Sequence, residues 1–166
     1  MSQFEAIESA YQVFTQQFES LIISTVSEDR IPNASYAPFV MDGDRNIYIY
    51  VSGLSVHTNN LQAVPKASVL FIEDESKTQQ IFARRRLNYE CSASLLPRDT
   101  QSWIQVISNF ESRFGNIIQM MRDLPDFRVF KLTPYGGRFV VGFGAAYEID
   151  GNDLNRLIHL TGDSNK

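Results

Sequence analysis

The sequence predicts a mainly β protein, a small antiparallel barrel with helices packed outside. Three observations carry this. Runs of branched and aromatic residues recur at short spacing between turn signals, as antiparallel strands require. Two apolar stripes with three- and four-residue steps mark amphipathic helices that cover such a sheet. The 166 residues, 43% of them hydrophobic, suit one domain with its own core, and no repeat, low-complexity stretch or linker divides them.

The elements follow in order. Phe4, Ile7, Tyr11, Phe14 and Phe18 lie on one face of an N-terminal helix over residues 1–18. "LIISTVS", "NASYAPFVM" and "NIYIYVS" read as three strands, joined through "EDRIP" and the hairpin signal "DGDR". "VHTNNLQAV" forms a short helix stopped by Pro65. "ASVLFIE" is a fourth strand, "DESKT" a polar loop, and "QQIFARRRLNYECSASLL" a long, bent fifth strand. A helix over about 99–122 starts at Pro97 and Asp99 and carries Trp103, Ile107, Phe110, Phe114 and Met121. Gly115 makes one of its turns irregular. After "DLPDF" come strands "FRVFKLT" and "GRFVVGFGAAYEI" around a "PYGG" turn. A last short helix spans residues 153–160, so the barrel occupies 21–149 of a single domain, 1–166.

Composition narrows the function. A net charge of −4 disfavours nucleic acid and anionic membranes as partners. The lone Cys91 excludes an internal disulfide and reads as a small buried residue. The N-terminus has no signal-peptide pattern and no apolar run approaches the ~20 residues of a membrane span. The expectation is a cytoplasmic protein.

Four stretches offer chemistry. In "FARRRLNYE", alternation along a strand puts Arg84 and Arg86 on one face with Asn88 and Glu90, and Arg85 on the other. Two guanidinium forks side by side suit phosphate or carboxylate oxygens, and a solvated barrel exterior is the plainer reading. "PNASYAPF" offers backbone groups, Asn33, Ser35 and Tyr36 to a flat ligand, or is an ordinary half-buried strand. Ser52, Ser55, His57 and Asn59 lie in a turn that opens a helix, where hydroxyls either cap the helix or hold an anion. Gly142 and Gly144 inside a strand suggest a bulge or a close approach. No spacing resembles a zinc site.

"NASYAPF", "IEDESKTQQIFARRRL" and "GRFVVGFGAAYEIDG" together resemble the HugZ/HutZ-type haem-utilisation family, within the pyridoxamine 5′-phosphate oxidase-like FMN-binding split barrels. The resemblance runs from about Leu21 to Leu160. It implies an antiparallel split β-barrel homodimer with ligand sites at the subunit interface.

The resemblance also implies site residues. The phosphate-binding lysine of the oxidases corresponds to His57, after Ser55, and this substitution shifts weight from FMN towards haem. Haem-handling members end in a His-Leu followed by Gly-His, whose second histidine binds iron and pairs with an aspartate. Here "HLTGDSNK" matches the first histidine with His159 and places Ser164 at the ligand position. Asp126 in "LPDF" matches the aspartate, and Arg86 matches an arginine of the haem pocket. His159 is thus a fallback iron ligand, and a helix end is its plainer role.

The leading expectation is a haem-binding protein of haem utilisation, with oxidative haem degradation driven by an external electron donor. Arg84 and Arg86 then meet propionates, and Asp126 orients an imidazole. The alternatives are an FMN-dependent oxidoreductase, with Arg84, Arg86, Ser55 and His57 on the phosphate, and a haem or flavin carrier without turnover.

Overall fold

The computed structural model describes residues 1–160. Helix α1 (Gln3–Phe14) begins at a capping box, in which the Glu5 amide donates to Ser2 Oγ and the Ser2 amide donates to the Glu5 carboxylate. Strands β1 (Ser20–Val26), β2 (Pro32–Met41) and β3 (Ile47–Ser52) form a meander, and α2 (Val56–Ala63) leads to β4 (Lys66–Ile72). Then follow β5 (Arg86–Leu96), α3 (Gln101–Phe114), α4 (Ile117–Arg122), β6 (Phe127–Gly142), β7 (Ala145–Ile149) and β8 (Leu157–His159).

The sheet order is β3-β2-β1-β4-β5-β6-β7-β8, and β3 also pairs with β6. That extra pairing closes six antiparallel strands into a barrel. Strand β6 does two jobs. Its first residues, Phe127 to Leu132, close the barrel on β3, while Gly137 to Gly142 pair with β7 and carry β7 and β8 beyond it. Alternate residues such as Ile23, Phe39, Ile49, Leu87 and Phe139 fill the interior. Tyr11 and Phe14 of α1 enter at one end, beside Met41, and Leu61 of α2 enters at the other. Outside, Trp103, Ile107, Phe110 and Ile118 pack on Val40, Tyr50 and Val129. Cys91 is buried as expected, and burial pushes its thiol up to about 12.

Several elements differ from the sequence reading. The fifth strand starts only at Arg86. Residues 73–85 form a loop with two short 3-10 turns, because side chains satisfy its amides locally. Asp74 accepts from the Ser76 amide at 2.8 Å and Gln80 from the Phe82 amide at 3.2 Å. Arg84 and Arg85 therefore lie outside the strand, and the alternation that paired Arg84 with Arg86 does not apply. Helix α3 is capped by Thr100 rather than Asp99, and Gly115, with φ 80°, separates it from α4.

"PYGG" is no turn, since β6 runs through it with a bulge at Tyr135. The reversal comes later, where Gly144 takes φ 67° between β6 and β7. Neither Gly142 nor Gly144 has a neighbour within 4 Å of a Cβ position, so no close approach explains them. The close approach is at Gly137, where a Cβ would sit 2.1 Å from the Asn88 carbonyl oxygen. The last helix is absent. Asp150 and Asp153 accept the amides of Asn152 and Asn155, which builds a turn, and buried Leu157 beside exposed Ile158 then follows strand alternation. So short a segment gains too little from helix propagation to compete.

Gly137→Ala is expected to cost about 3 kcal/mol or more, because backbone cannot step aside as a side chain does. Gly142→Ala is expected to stay within about 1 kcal/mol of wild type. Urea unfolding of both variants checks the contrast, and equal midpoints would refute the register at Gly137.

Candidate functional site

The expected site residues fall into two groups at opposite ends of the β5–β6 ribbon. The first lies where β3 ends, α2 begins and β6 begins. Ser52 Oγ donates to Asp126 Oδ2 at 3.0 Å, and the Asp126 carbonyl accepts from the Gly53 amide at 2.8 Å and from Arg128 Nη1 at 3.2 Å. A Cβ on Gly53 would meet that carbonyl at 2.8 Å, so glycine is needed for the approach. These bonds hold a half-buried carboxylate whose Oδ1 has no partner among the described residues. It can accept an N–H from outside.

His57 and Ser35 join the same end. His57 Nδ1 lies 3.0 Å from Ser35 Oγ. Its Nε2 is enclosed and has no hydrogen-bond partner. An enclosed nitrogen cannot bind an outside group, so His57 here ties α2 to β2 rather than reaching a ligand. Asn60 Nδ2 on Thr25 Oγ1, at 3.0 Å, makes a second buried tie. Ser55 occupies the α2 N-cap without a side-chain bond, and Thr58 donates to the Ser52 carbonyl instead of capping. Asn33 and Ser35 share the barrel side of β2, and Tyr36 points the other way, 68% exposed. The expected row of Asn33, Ser35 and Tyr36 facing one ligand is thus split between two faces.

The second group lies at the other end. Arg86 is half-buried between Ile72 and Val140, and Nη1 donates to the Arg84 carbonyl at 3.1 Å. It has no carboxylate partner among the described residues. Arg84 is committed: it donates to the Glu73 carbonyl and pairs with Glu75 at 3.5 Å. The expected arginine pair reduces to Arg86. His159 stacks on Tyr147, centroids 4.8 Å apart, on edge strand β8 rather than at a helix end. Ser164 lies outside the described residues.

Tyr147 pairs with Phe139, so His159, like Arg86 opposite Val140, sits beside the far part of β6. From Asp126 to Val140 the strand contour is about 45 Å at ~3.3 Å per residue. Within one chain the two groups do not meet. Sequence reasoning noted Ser52 but not its bond to Asp126, because the two are brought together only by the β3–β6 pairing. No group of three His, Cys, Asp or Glu residues suited to a metal ion occurs among the described residues.

A closed six-stranded barrel with a two-strand extension, and polar clusters at separated ends, defines a split-barrel protein. The profile of the pyridoxamine 5′-phosphate oxidase family matches residues 7–141, and the chain belongs to that family, in its HutZ-type branch. It is 40% identical over 154 residues to the haem oxygenase HutZ of Vibrio cholerae serotype O1, across 93% of this chain and 87% of that one. A crystal structure of HutZ, described as a haem storage protein from Vibrio cholerae, matches with TM-score 0.73 and 38% identity, over 76% of this chain and 89% of that one. Campylobacter jejuni ChuZ matches with TM-score 0.85 and 34% identity, over all 100% of this chain and 68% of that one.

Burial lowers the pKa of His57 below its ordinary 6.5. The unfolded chain then binds a proton that the folded chain resists. The resulting stability is complete above about pH 6.5 and is lost as pH falls towards the lower folded value. The melting temperature is expected to fall between pH 7.5 and 5 more steeply in wild type than in His57→Gln. Parallel curves would show that His57 is not the group responsible.

Proposed function

We propose that this chain binds haem in haem utilisation and that its working form is a homodimer with composite sites. The observation that carries this is the separation of Asp126 from Arg86 and β8. Two copies in two-fold contact bring the Asp126 end of one chain to the Arg86 end of the other. A ready surface exists: Tyr36, Ile22, Leu70 and Asn88 form a cross-strand row on the barrel exterior, with Ile22 42% exposed. The relatedness to HutZ supports the ligand.

The residues fit haem better than FMN. Arg86 offers an unpaired guanidinium to a propionate. Were haem bound, the open oxygen of Asp126 would accept the outward N–H of an imidazole that held it, which would raise that imidazole's basicity and set its orientation. FMN needs a phosphate grip, yet Arg84 is committed to Glu75 and His57 is enclosed. Haem, when bound, would supply redox-active iron for oxidative chemistry that draws electrons from an external donor. The chain's own part would be to hold the propionates with Arg86, orient an iron-binding side chain through Asp126 and Ser52, and exclude water with the dimer face. The reading also places the protein in the cytoplasm, where Cys91 stays reduced; no helix among the described residues is long and apolar enough to cross a membrane.

Titration with haemin tests the proposal. A Soret band is expected for wild type, with Ser164→His binding roughly tenfold tighter or more, since it restores an imidazole to the tail. A protein that gives no Soret band but purifies yellow, absorbing near ~450 nm as bound flavins do, is the FMN oxidoreductase instead. Arg86→Ala is expected to weaken haemin binding by about 1.5–3 kcal/mol and Arg84→Ala by far less. Equal losses would return Arg84 to the site. Sedimentation is expected to show a dimer burying more than ~1,000 Å², and a stable monomer at micromolar concentration would refute the composite site.

A further inference from the structure

Arg45 is a buried cation without a carboxylate. Only 6% of it is exposed, and no acidic oxygen lies within ion-pair distance among the described residues. Arginine cannot escape this cost by losing its proton. It also holds φ 63°, a left-handed conformation that persists in a side-chain-bearing residue only when the surroundings enforce it. Something specific is gained by placing it there.

The destinations of its hydrogen bonds show what. Arg45 Nε donates to Asn155 Oδ1 at 3.2 Å. Nη2 donates to Gln12 Oε1 at 2.6 Å, and Gln12 Nε2 donates on to the Asn155 carbonyl at 3.0 Å. Nη1 donates to Tyr89 Oη at 3.0 Å. Tyr11 gives its hydroxyl proton to the Leu154 carbonyl at 2.5 Å, so in the 2.7 Å contact between the two phenols Tyr89 must be the donor. Three nitrogens of one guanidinium thus begin three paths, and all three end on Leu154 or Asn155. The guanidinium plane also lies over the Tyr11 ring, 4.3 Å from its centroid. A chain of donors that starts at a permanent cation polarises each bond along it. Burial raises the pKa of both phenols, so they remain donors throughout the ordinary pH range.

Leu154 and Asn155 are the root of β8, three and two residues before Leu157. We propose that Arg45, relayed by Gln12, Tyr11 and Tyr89, is a positioning residue that sets the place of β8 and of the His159 it carries, and so tunes haem ligation. This rests on the haem reading above. It assigns a function to the β2–β3 hairpin and to α1, which lie outside both site groups. Lysine does not replace Arg45, because a point charge cannot serve three directions at once.

Two readouts test this. Wild type, Arg45→Lys, Arg45→Met and the exposed-side variant Asn155→Ala are compared, with Val106→Ala in the α3 contact as a control for general destabilisation. The first readout is trypsin cleavage at Arg156–Leu157 in haem-free protein, followed by mass spectrometry. The Arg45 and Asn155 variants are expected to be cut at least roughly fivefold faster, the scale of one lost hydrogen bond, and Val106→Ala no faster than wild type. Unchanged cleavage would overturn the anchor. The second readout is haemin Kd and Soret position. The same variants are expected to bind at least roughly fivefold more weakly with a shifted Soret maximum, while Val106→Ala retains both. Faster cleavage with unchanged Kd and spectrum overturns the positioning role and leaves a structural clamp. No Soret band in wild type overturns the haem reading and the tuning with it, and the cleavage readout still decides the anchor.

Discussion

The structure depends on one strand serving two parts of a single sheet. Strand β6 closes the barrel on β3 with its first residues and extends it through β7 with its last, while β5 accompanies it throughout. Each backbone group on such a strand needs a partner, and β6 finds them on different neighbours along its length. The bulge at Tyr135 and the missing side chain at Gly137 let it bend from one role to the other without breaking. A strand this long also holds its two ends apart. Asp126 stands at one end, and Arg86 and β8 stand beside the other.

On the proposed reading, that separation makes the site a property of a dimer. Each end is prepared by local bonds: the Ser52 hydroxyl holds the Asp126 carboxylate, the Gly53 amide and Arg128 hold its carbonyl, and the Arg84 carbonyl steadies Arg86. Neither end pairs its charge among the described residues, and half-buried charges left this way are poised for a partner from outside. The same economy recurs at Arg45, where carbonyl and hydroxyl oxygens take the place of a carboxylate. There the charge is spent inside the chain, on the root of the C-terminal segment.

Much of the fold was legible because its signals are local. β1 to β4 announced themselves through branched and aromatic runs, and α3 through its apolar stripe and the break at Gly115. The errors arose where local signals competed. "ARRRL" looked like strand throughout, yet Asp74 and Gln80 drew the preceding backbone into turns. "PYGG" carried turn residues that close packing against Asn88 demanded instead. The last segment had helical spacing over too few residues to nucleate. Asp126 and Arg86 were singled out through family resemblance, and the commitment of Arg84 to Glu75 was invisible without coordinates. Arg45 had no sequence signature, since its role depends on five residues spread from Tyr11 to Asn155.

The central claim is that one site draws Asp126 and Arg86 from different chains. Co-expression of an Asp126→Ala chain and an Arg86→Ala chain, each with its own affinity tag, tests it directly. Doubly tagged dimers contain one site with both residues intact and one with neither. Haemin titration of the purified mixed dimer is predicted to show one site of wild-type affinity, although each variant homodimer binds weakly. If the mixed dimer binds no better than the two homodimers, both residues act within one chain and the composite site is contradicted.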